Sequence, residues 1–159
     1  MSSQSRWKAV LELAARVILG GTFIYLGMLK AIDPIGFLKL VRQFNWSEAP
    51  WLLNFIAATL PWFEIFCGAC LVLGAATRGA ALLLLFLLFG FTTVIASRAL
   101  EIYHQGALPF CGIRFDCGCG SGEVLICAKL VENLGLIVLA YAVLMARGRV
   151  TPSHADESC

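Results

Sequence analysis

The sequence contains little charge. Only 14% of its 159 residues are Asp, Glu, Lys or Arg, whereas 60% are hydrophobic, and the mean hydropathy is +0.84. A soluble domain needs a polar surface, and these charged residues are too few to provide one. The net charge of +2 is also too small to attract nucleic acid. The composition therefore predicts a membrane protein that contacts lipid and does not bind nucleic acid.

The sequence also has few histidines and shows no cleavage motif after its first apolar segment. The two histidines are His104 and His154, in polar segments, so the chain cannot assemble a buried bis-histidine haem site. No A-x-A-like cleavage site follows the first apolar stretch, and we therefore interpret that stretch as a retained anchor. The sequence has no internal repeats and no sign of a second domain. We expect one membrane domain that covers residues 1–159.

Four long apolar segments remain, and they predict an all-α membrane protein, a bundle of four transmembrane helices. At about 1.5 Å per residue, each is long enough for a hydrocarbon layer of roughly 30 Å. A short interfacial helix is expected after the first span, because Asp33-Pro34 ends a helix and apolar residues then recur at helical spacing from Phe37 to Phe44. A loop that touches lipid headgroups is the alternative. The predicted spans cover about residues 9–29, 48–76, 79–99 and 124–146.

Polar residues inside the spans suggest local contacts. Glu12 and Arg16 are spaced to pair on one helix, and Lys129 and Glu132 are spaced in a similar way. Asn133 is expected to form a hydrogen bond to a neighbouring helix. Two further features are expected in the second span, a helix start at Ser47 and a kink at Pro61.

The orientation of the bundle follows from basic residues close to the spans. The Lys and Arg residues divide equally between the two sides, so their totals do not decide the topology. The basic residues that directly flank spans are Arg6, Lys8, Arg78, Arg147 and Arg149. We therefore expect cytoplasmic termini in a bacterial inner membrane and an extracytoplasmic loop between the third and fourth spans.

That loop is the polar insert from Glu101 to Glu123, and it is rich in cysteine. Cys111, Cys117 and Cys119 lie within it, and Cys127 follows. The glycines beside Cys117 and Cys119 favour an exposed pair that exchanges disulfides with a partner protein. A static disulfide, for example between Cys111 and one of the pair, is the structural alternative. A metal site is not expected, since the spacing C-x5-C-x-C-x7-C matches no standard zinc motif.

A second cysteine pair lies within the second span. Cys67 and Cys70 are one helical turn apart, and Glu64 precedes them by another turn on the same face. An ionisable residue at such depth suggests function, and this carboxylate is a candidate general base for the dithiol. The alternative is that both cysteines are small packing residues between helices.

Several short motifs, taken in order, resemble the MauE branch of the MauE/DoxX membrane proteins. The Cys117-Gly118-Cys119-Gly120 segment is among them, although the family loop usually carries a Phe after the second cysteine. The Cys67/Cys70 pair is not part of the family pattern, and only its layout is similar to membrane C-x-x-C proteins that use a quinone. The other matching residues are Gly27, Lys30, Asp33, Pro34, Phe37, Pro61, Glu64, Gly68, Thr77, Arg78, Glu132 and Asn133.

The resemblance implies a four-helix inner-membrane protein that works beside a thioredoxin-like partner in the maturation of disulfide-rich periplasmic enzymes. The expected function is thiol–disulfide exchange at Cys117 and Cys119, with Cys67, Cys70 and Glu64 relaying electrons to a membrane quinone. The alternative is a non-catalytic subunit of a larger membrane redox complex whose disulfides are structural. The disulfide candidates are Cys111, Cys117, Cys119 and Cys127.

Overall fold

The structure is a computed structural model that describes residues 3–43, 49–104, 106, 109–116 and 123–146. Within these ranges the chain is almost entirely helical, apart from a small polar insert between two long helices. The helices are α1 (Ser3–Ile32), α2 (Pro34–Gln43), α3 (Pro50–Leu73), α4 (Thr77–His104) and α5 (Ile126–Met145). The insert contains a 3₁₀ turn (Phe110–Gly112) and two strands, β1 (Arg114–Asp116) and β2 (Glu123–Leu125).

Four of these helices are long and apolar enough to cross a membrane, as the composition predicts. The chain is therefore a multi-pass membrane protein. The spans are Arg6–Ile32, Pro50–Leu73, Thr77–His104 and Ile126–Met145.

The turn between the second and third spans falls earlier than the sequence suggests. The predicted helix ran to Ala76, but α3 ends at Leu73 because Gly74 adopts the left-handed conformation (φ +80°). Its N–H donates to the carbonyl oxygen of Leu71, which closes the helix end. The predicted start at Ser47 lies outside the described residues, and α3 begins at Pro50 with Pro61 accommodated inside it.

The first and second spans cross at glycines, which brings their backbones close together. A Cβ atom on Gly20 would lie 2.6 Å from the carbonyl oxygen of Gly68, and one on Gly68 would lie 2.7 Å from that of Gly20. Further along, a Cβ on Gly27 would lie 2.8 Å from the carbonyl oxygen of Pro61. Small residues allow this close approach, which strengthens van der Waals packing between membrane helices. The interface between α1 and α3 therefore requires the absence of side chains at these points.

The short helix predicted after the first span is α2, and its start is well defined. The Asp33 carboxylate accepts a hydrogen bond from the Gly36 N–H at 2.9 Å, and Pro34 occupies the first helical position. Phe37 and Val41 are buried in a cluster with residues of α3. One face of α2 thus packs along α3, and Arg42 of α2 also donates to the side-chain oxygen of Asn54 on α3 at 3.3 Å.

Two of the predicted polar contacts are confirmed. Lys129 donates to Glu132 at 3.0 Å, and the Asn133 side chain donates to the Thr92 hydroxyl of α4 at 3.1 Å. In the first span, however, the guanidinium of Arg16 donates to the Leu71 carbonyl oxygen, through Nε and a terminal nitrogen at 3.2 Å each, rather than pairing with Glu12. Arg16 thereby supplies donors to the carboxyl end of α3, where carbonyl groups lack helical partners.

We expect Gly68→Ala to destabilise the protein by roughly 1–3 kcal/mol, because the new methyl group would press against backbone atoms of α1. The measurement is the unfolding midpoint in mild detergent. Gly90→Ala is the matched control, since a Cβ on Gly90 meets no atom within 4 Å. Equal stability of the two variants would contradict the close crossing.

Candidate functional site: the cysteine insert and the buried charged pair

The insert is organised by a small antiparallel hairpin. Strands β1 and β2 pair in the register Arg114 to Leu125 and Asp116 to Glu123. Immediately outside the hairpin, Cys111 and Cys127 form a disulfide, with their Cα atoms 5.1 Å apart. This bond joins the 3₁₀ turn to the first turn of α5, so both ends of the hairpin are fastened to the same place.

The base of the insert also packs on the helices beneath it. Ile113 is buried in a cluster with Ala99 of α4 and Ile126 of α5. The N–H of Ile126 donates to the carbonyl oxygen of Ile113 at 3.2 Å, so the start of α5 is tied to the insert by backbone as well. A covalent bond, a hydrogen bond and apolar burial thus act at one point. The insert is therefore attached to the bundle where α4 ends and α5 begins.

The observed disulfide narrows the possible cysteine connectivity. Four cysteines near the insert allow three complete pairings, and a bond between Cys111 and Cys127 excludes the two in which Cys111 joins Cys117 or Cys119. Cys117 and Cys119 lie outside the described residues, in the segment that connects β1 to β2. His104, the histidine of the insert, is exposed as the last residue of α4.

The second cysteine pair is not close to the insert. Cys67 and Cys70 are both reduced and lie in the last two turns of α3. Cys67 is buried in a core cluster that includes Leu136 and Val143 of α5. Cys127 is the second residue of α5, so this cluster begins about 14 Å and ends about 24 Å further along the helix at 1.5 Å per residue. The structure therefore does not bring the two groups of cysteines together.

The predicted base, Glu64, has a partner that the sequence analysis did not assign. The Lys30 ammonium donates to both of its carboxylate oxygens, at 2.6 and 2.8 Å. The two side chains are 7% and 1% exposed, so this ion pair is inside the bundle and joins α1 to α3. The carboxylate is thus held by Lys30 rather than directed to the cysteines one turn away.

Aromatic and charged side chains complete the surroundings of this pair. The Lys30 nitrogen lies 5.4 Å from the ring centroid of Phe37 on α2 and 4.8 Å from that of Phe91 on α4. The positive charge of Lys129 on α5 also acts on the Glu64 carboxylate. Ring faces attract an ammonium, and this attraction is strongest where water is excluded. Side chains of α1, α2, α3 and α4 therefore meet around this buried ion pair.

Two features could have indicated the Lys30–Glu64 contact before the structure. Each residue is a charge at the end or inside of an apolar segment, and a charge in hydrocarbon requires a partner. Both also belong to the motifs that carry the family resemblance. The predicted first span ends at residue 29 and so leaves out Lys30, whereas α1 continues to Ile32.

Comparison with known proteins gives one match. The family model described as methylamine utilisation protein MauE matches residues 8–146, which include the insert and all four spans apart from the first two residues of the first span. The match names MauE alone, so the relation to DoxX proteins stays a prediction. No curated protein and no solved structure matches the chain.

Removal of either charge from the buried pair should be strongly destabilising. We expect Lys30→Met or Glu64→Leu to cost about 3–5 kcal/mol, because each leaves the other charge buried without its partner. The double variant should recover much of this loss, since neither charge then remains. The free energy of unfolding in detergent is to be measured for the two single variants and the double variant.

Arg98→Ala is the control for this experiment. It removes the exposed ion pair between Arg98 and Glu101, which should contribute no more than about 1 kcal/mol. If the single variants at the buried pair were as stable as this control, the pair would not hold the helices together.

Proposed function

The chain belongs to the MauE family, and on that basis we propose that it is a thiol–disulfide redox protein of the bacterial inner membrane. Its role is to support disulfide formation or maturation in periplasmic redox proteins. The family's description supports a connection with methylamine utilisation. The reacting groups are Cys117 and Cys119, and the partner is a thioredoxin-like periplasmic protein.

One observation carries this proposal. The bond between Cys111 and Cys127 uses both of those sulfurs, so neither can be joined to Cys117 or Cys119. Of the four cysteines near the insert, this leaves two, separated by a single glycine in the connection of the hairpin. A disulfide between them would close a very small ring. Such strain raises the reduction potential and favours exchange over a structural role.

The proposed step is a dithiol–disulfide exchange. A thiolate of the partner attacks one sulfur of the Cys117–Cys119 bond, forming a mixed disulfide and releasing the other sulfur as a thiolate. The partner's second thiolate then attacks the mixed disulfide. The partner leaves oxidised, and Cys117 and Cys119 each take up a proton. The number of disulfide bonds is unchanged, and two electrons have moved to the insert.

The fixed base of the insert supports this role. Exchange requires the approach of a folded partner, and a functional site is more precise when its supporting elements are rigid. The disulfide and the packing of Ile113 provide that platform at the end of α4 and α5. With cytoplasmic termini, this end of the bundle faces the periplasm, where disulfides persist.

Re-oxidation of the insert needs an electron acceptor, and a membrane quinone is the acceptor we propose. Transfer through Cys67 and Cys70 would have to cover the distance between the two groups of cysteines. Glu64, the base in that scheme, is engaged by Lys30. We therefore propose that the quinone accepts electrons at the insert itself, and that Cys67 and Cys70 act in helix packing.

The alternative function is a non-catalytic subunit of a membrane redox complex. The observation that favours it is the position of the Cys111–Cys127 bond, which ties the insert to α5 as a structural disulfide would. In that case the insert is a docking element, and Cys117 and Cys119 do not exchange with a partner.

Single variants Cys117→Ser and Cys119→Ser should distinguish the two functions. With one sulfur missing, the mixed disulfide with the partner cannot be resolved within the insert, so one variant should accumulate a covalent complex. For this trapping experiment the probe is a purified thioredoxin-like protein in its oxidised form, added to membranes that contain each variant, so that the remaining thiolate of the insert can attack the disulfide of the probe. After acid quenching, a non-reducing gel detects the complex, and a reductant should dissolve it.

Cys70→Ser is the matched control, because it also removes one thiol but from the opposite end of the bundle. When the probe is supplied in its reduced form, this variant should oxidise it at the wild-type rate. If the double variant Cys117→Ser/Cys119→Ser also oxidised the probe at that rate, the redox proposal would be wrong and the subunit function would be favoured.

A further inference from the structure

The two cysteines of the Cys111–Cys127 disulfide lie in different surroundings. Cys111 belongs to the 3₁₀ turn of the insert and is exposed, whereas Cys127 lies in α5 and is half-buried. The spans on either side end at His104 and begin at Ile126, so Cys111 lies between them in the polar insert. Structural disulfides resist reduction, whereas exposed disulfides are more oxidising and take part in exchange. A thiolate from outside the membrane therefore reaches this bond at Cys111.

Cys127 is placed to leave as a thiolate when Cys111 is attacked. It is the second residue of α5, in a turn whose N–H groups have no acceptors within the helix. The residue before the helix, Leu125, provides no side-chain cap for them. Because Cα–Cβ bonds tilt towards the start of a helix, the Cys127 sulfur lies over this turn. N–H groups and the helix dipole stabilise a thiolate there, and a stabilised thiolate is the better leaving group.

The attachment of the insert does not depend on the disulfide alone. Ile113 and Ile126 are 2% and 1% exposed, and they pack together with Ala99 of α4. The Ile126 N–H also donates to the carbonyl oxygen of Ile113 at 3.2 Å. These contacts join the same two segments as the bond between Cys111 and Cys127, because each isoleucine is close in sequence to one of the cysteines. Opening the bond therefore leaves the base of the insert in place.

We propose that the Cys111–Cys127 disulfide is a second exchange site of the insert, with Cys111 as the attacked sulfur and Cys127 as the leaving sulfur. The co-reactant is a reduced dithiol protein on the periplasmic side. One thiolate of this protein bonds to the Cys111 sulfur, the Cys111–Cys127 bond breaks, and its electron pair moves to Cys127. The second thiolate of the dithiol protein then attacks the mixed disulfide and releases Cys111.

Electrons and protons balance in this exchange. The dithiol protein loses two electrons and two protons and becomes a disulfide, and Cys111 and Cys127 take them up as a pair of thiols. The site shares its class of partner with the proposed exchange at Cys117 and Cys119, but it uses different sulfurs. The insert thereby holds a second pair of electrons before it is re-oxidised.

The experiment uses the full-length variant Cys117→Ser/Cys119→Ser, in which Cys111 is the remaining cysteine of the insert. The first probe is a purified thioredoxin-like protein in its reduced form, added to membranes that contain this variant. After acid quenching and denaturation, free thiols are alkylated, and mass spectrometry measures how much Cys111 and Cys127 became reduced. Cleavage after Arg114 separates the two cysteines.

A second probe identifies the attacked sulfur. In this form of the thioredoxin-like protein the second cysteine of its pair is replaced by Ser, so that it cannot resolve the mixed disulfide. The covalent complex is isolated on a non-reducing gel, and mass spectrometry identifies the linked cysteine. The control variant also carries Cys111→Ser and Cys127→Ser, and it should form no complex.

We expect the reduced probe to open the bond in the folded protein, while circular dichroism shows unchanged helix content. The second probe should form at least about ten times more complex through Cys111 than through Cys127, because Cys111 is the exposed partner. A bond that stays closed in the folded protein but opens after unfolding would overturn the proposal, since the disulfide would then be purely structural. Equal attack at both sulfurs would also overturn it.

This experiment and the test of the proposed function can fail separately. Both readouts here concern Cys111 and Cys127 in a chain without Cys117 and Cys119, whereas the proposed function is tested at Cys117 and Cys119 with the Cys111–Cys127 bond present. The fraction of opened bond is measured rather than the rate of probe oxidation, because the proposed function assigns that rate to Cys117 and Cys119.

Discussion

The ion pair between Lys30 and Glu64 is the constraint on which the arrangement of the helices depends. A carboxylate inside hydrocarbon is tolerated only with a counter-charge in hydrogen-bonding geometry, and here a single ammonium serves both oxygens. This requirement fixes the rotation of α1 about its axis. With α1 rotated in this way, Gly20 and Gly27 face α3. The orientation that pairs Lys30 with Glu64 therefore also permits the close crossing of the two helices. The ring of Phe37 then shields the ammonium, which places α2 along α3 rather than free of the bundle.

The buried Lys30–Glu64 pair and the insert are stabilised separately, in different parts of the molecule. The charges are satisfied inside the bundle by one another and by the aromatic rings of Phe37 and Phe91. The insert is fixed separately, through Cys111, Cys127 and Ile113 at the ends of α4 and α5. This separation matters for chemistry, because a carboxylate that neutralises a lysine is poorly suited to accept a proton from a thiol. The structure thus gives Glu64 a structural role that is independent of any exchange at the insert.

The sequence predicted what depends on local composition and spacing. Four apolar segments, the break at Asp33-Pro34 and the Lys129–Glu132 pair follow from hydropathy, proline stereochemistry and helical periodicity, and all appear in the structure. Contacts between residues that are far apart in the sequence were harder to predict. Lys30 and Glu64 are 34 positions apart, and no periodicity joins two residues on different helices. The hairpin was missed because strands of three residues are too short to show alternation, and the pairing of Cys111 with Cys127 rests on it.

The location of the reduced cysteines finally bears on what kind of redox protein this chain can be. Cys67 and Cys70 lie in the last turns of α3, in a cluster that is packed by the neighbouring helices. Cys67 is only 1% exposed, so it could meet a sulfur of another segment only if the packing of the helices around it loosened. The stability of the bundle therefore opposes exchange within the membrane. Our proposal therefore assigns exchange with a partner protein to Cys117 and Cys119, which the sequence places in the connection between β1 and β2.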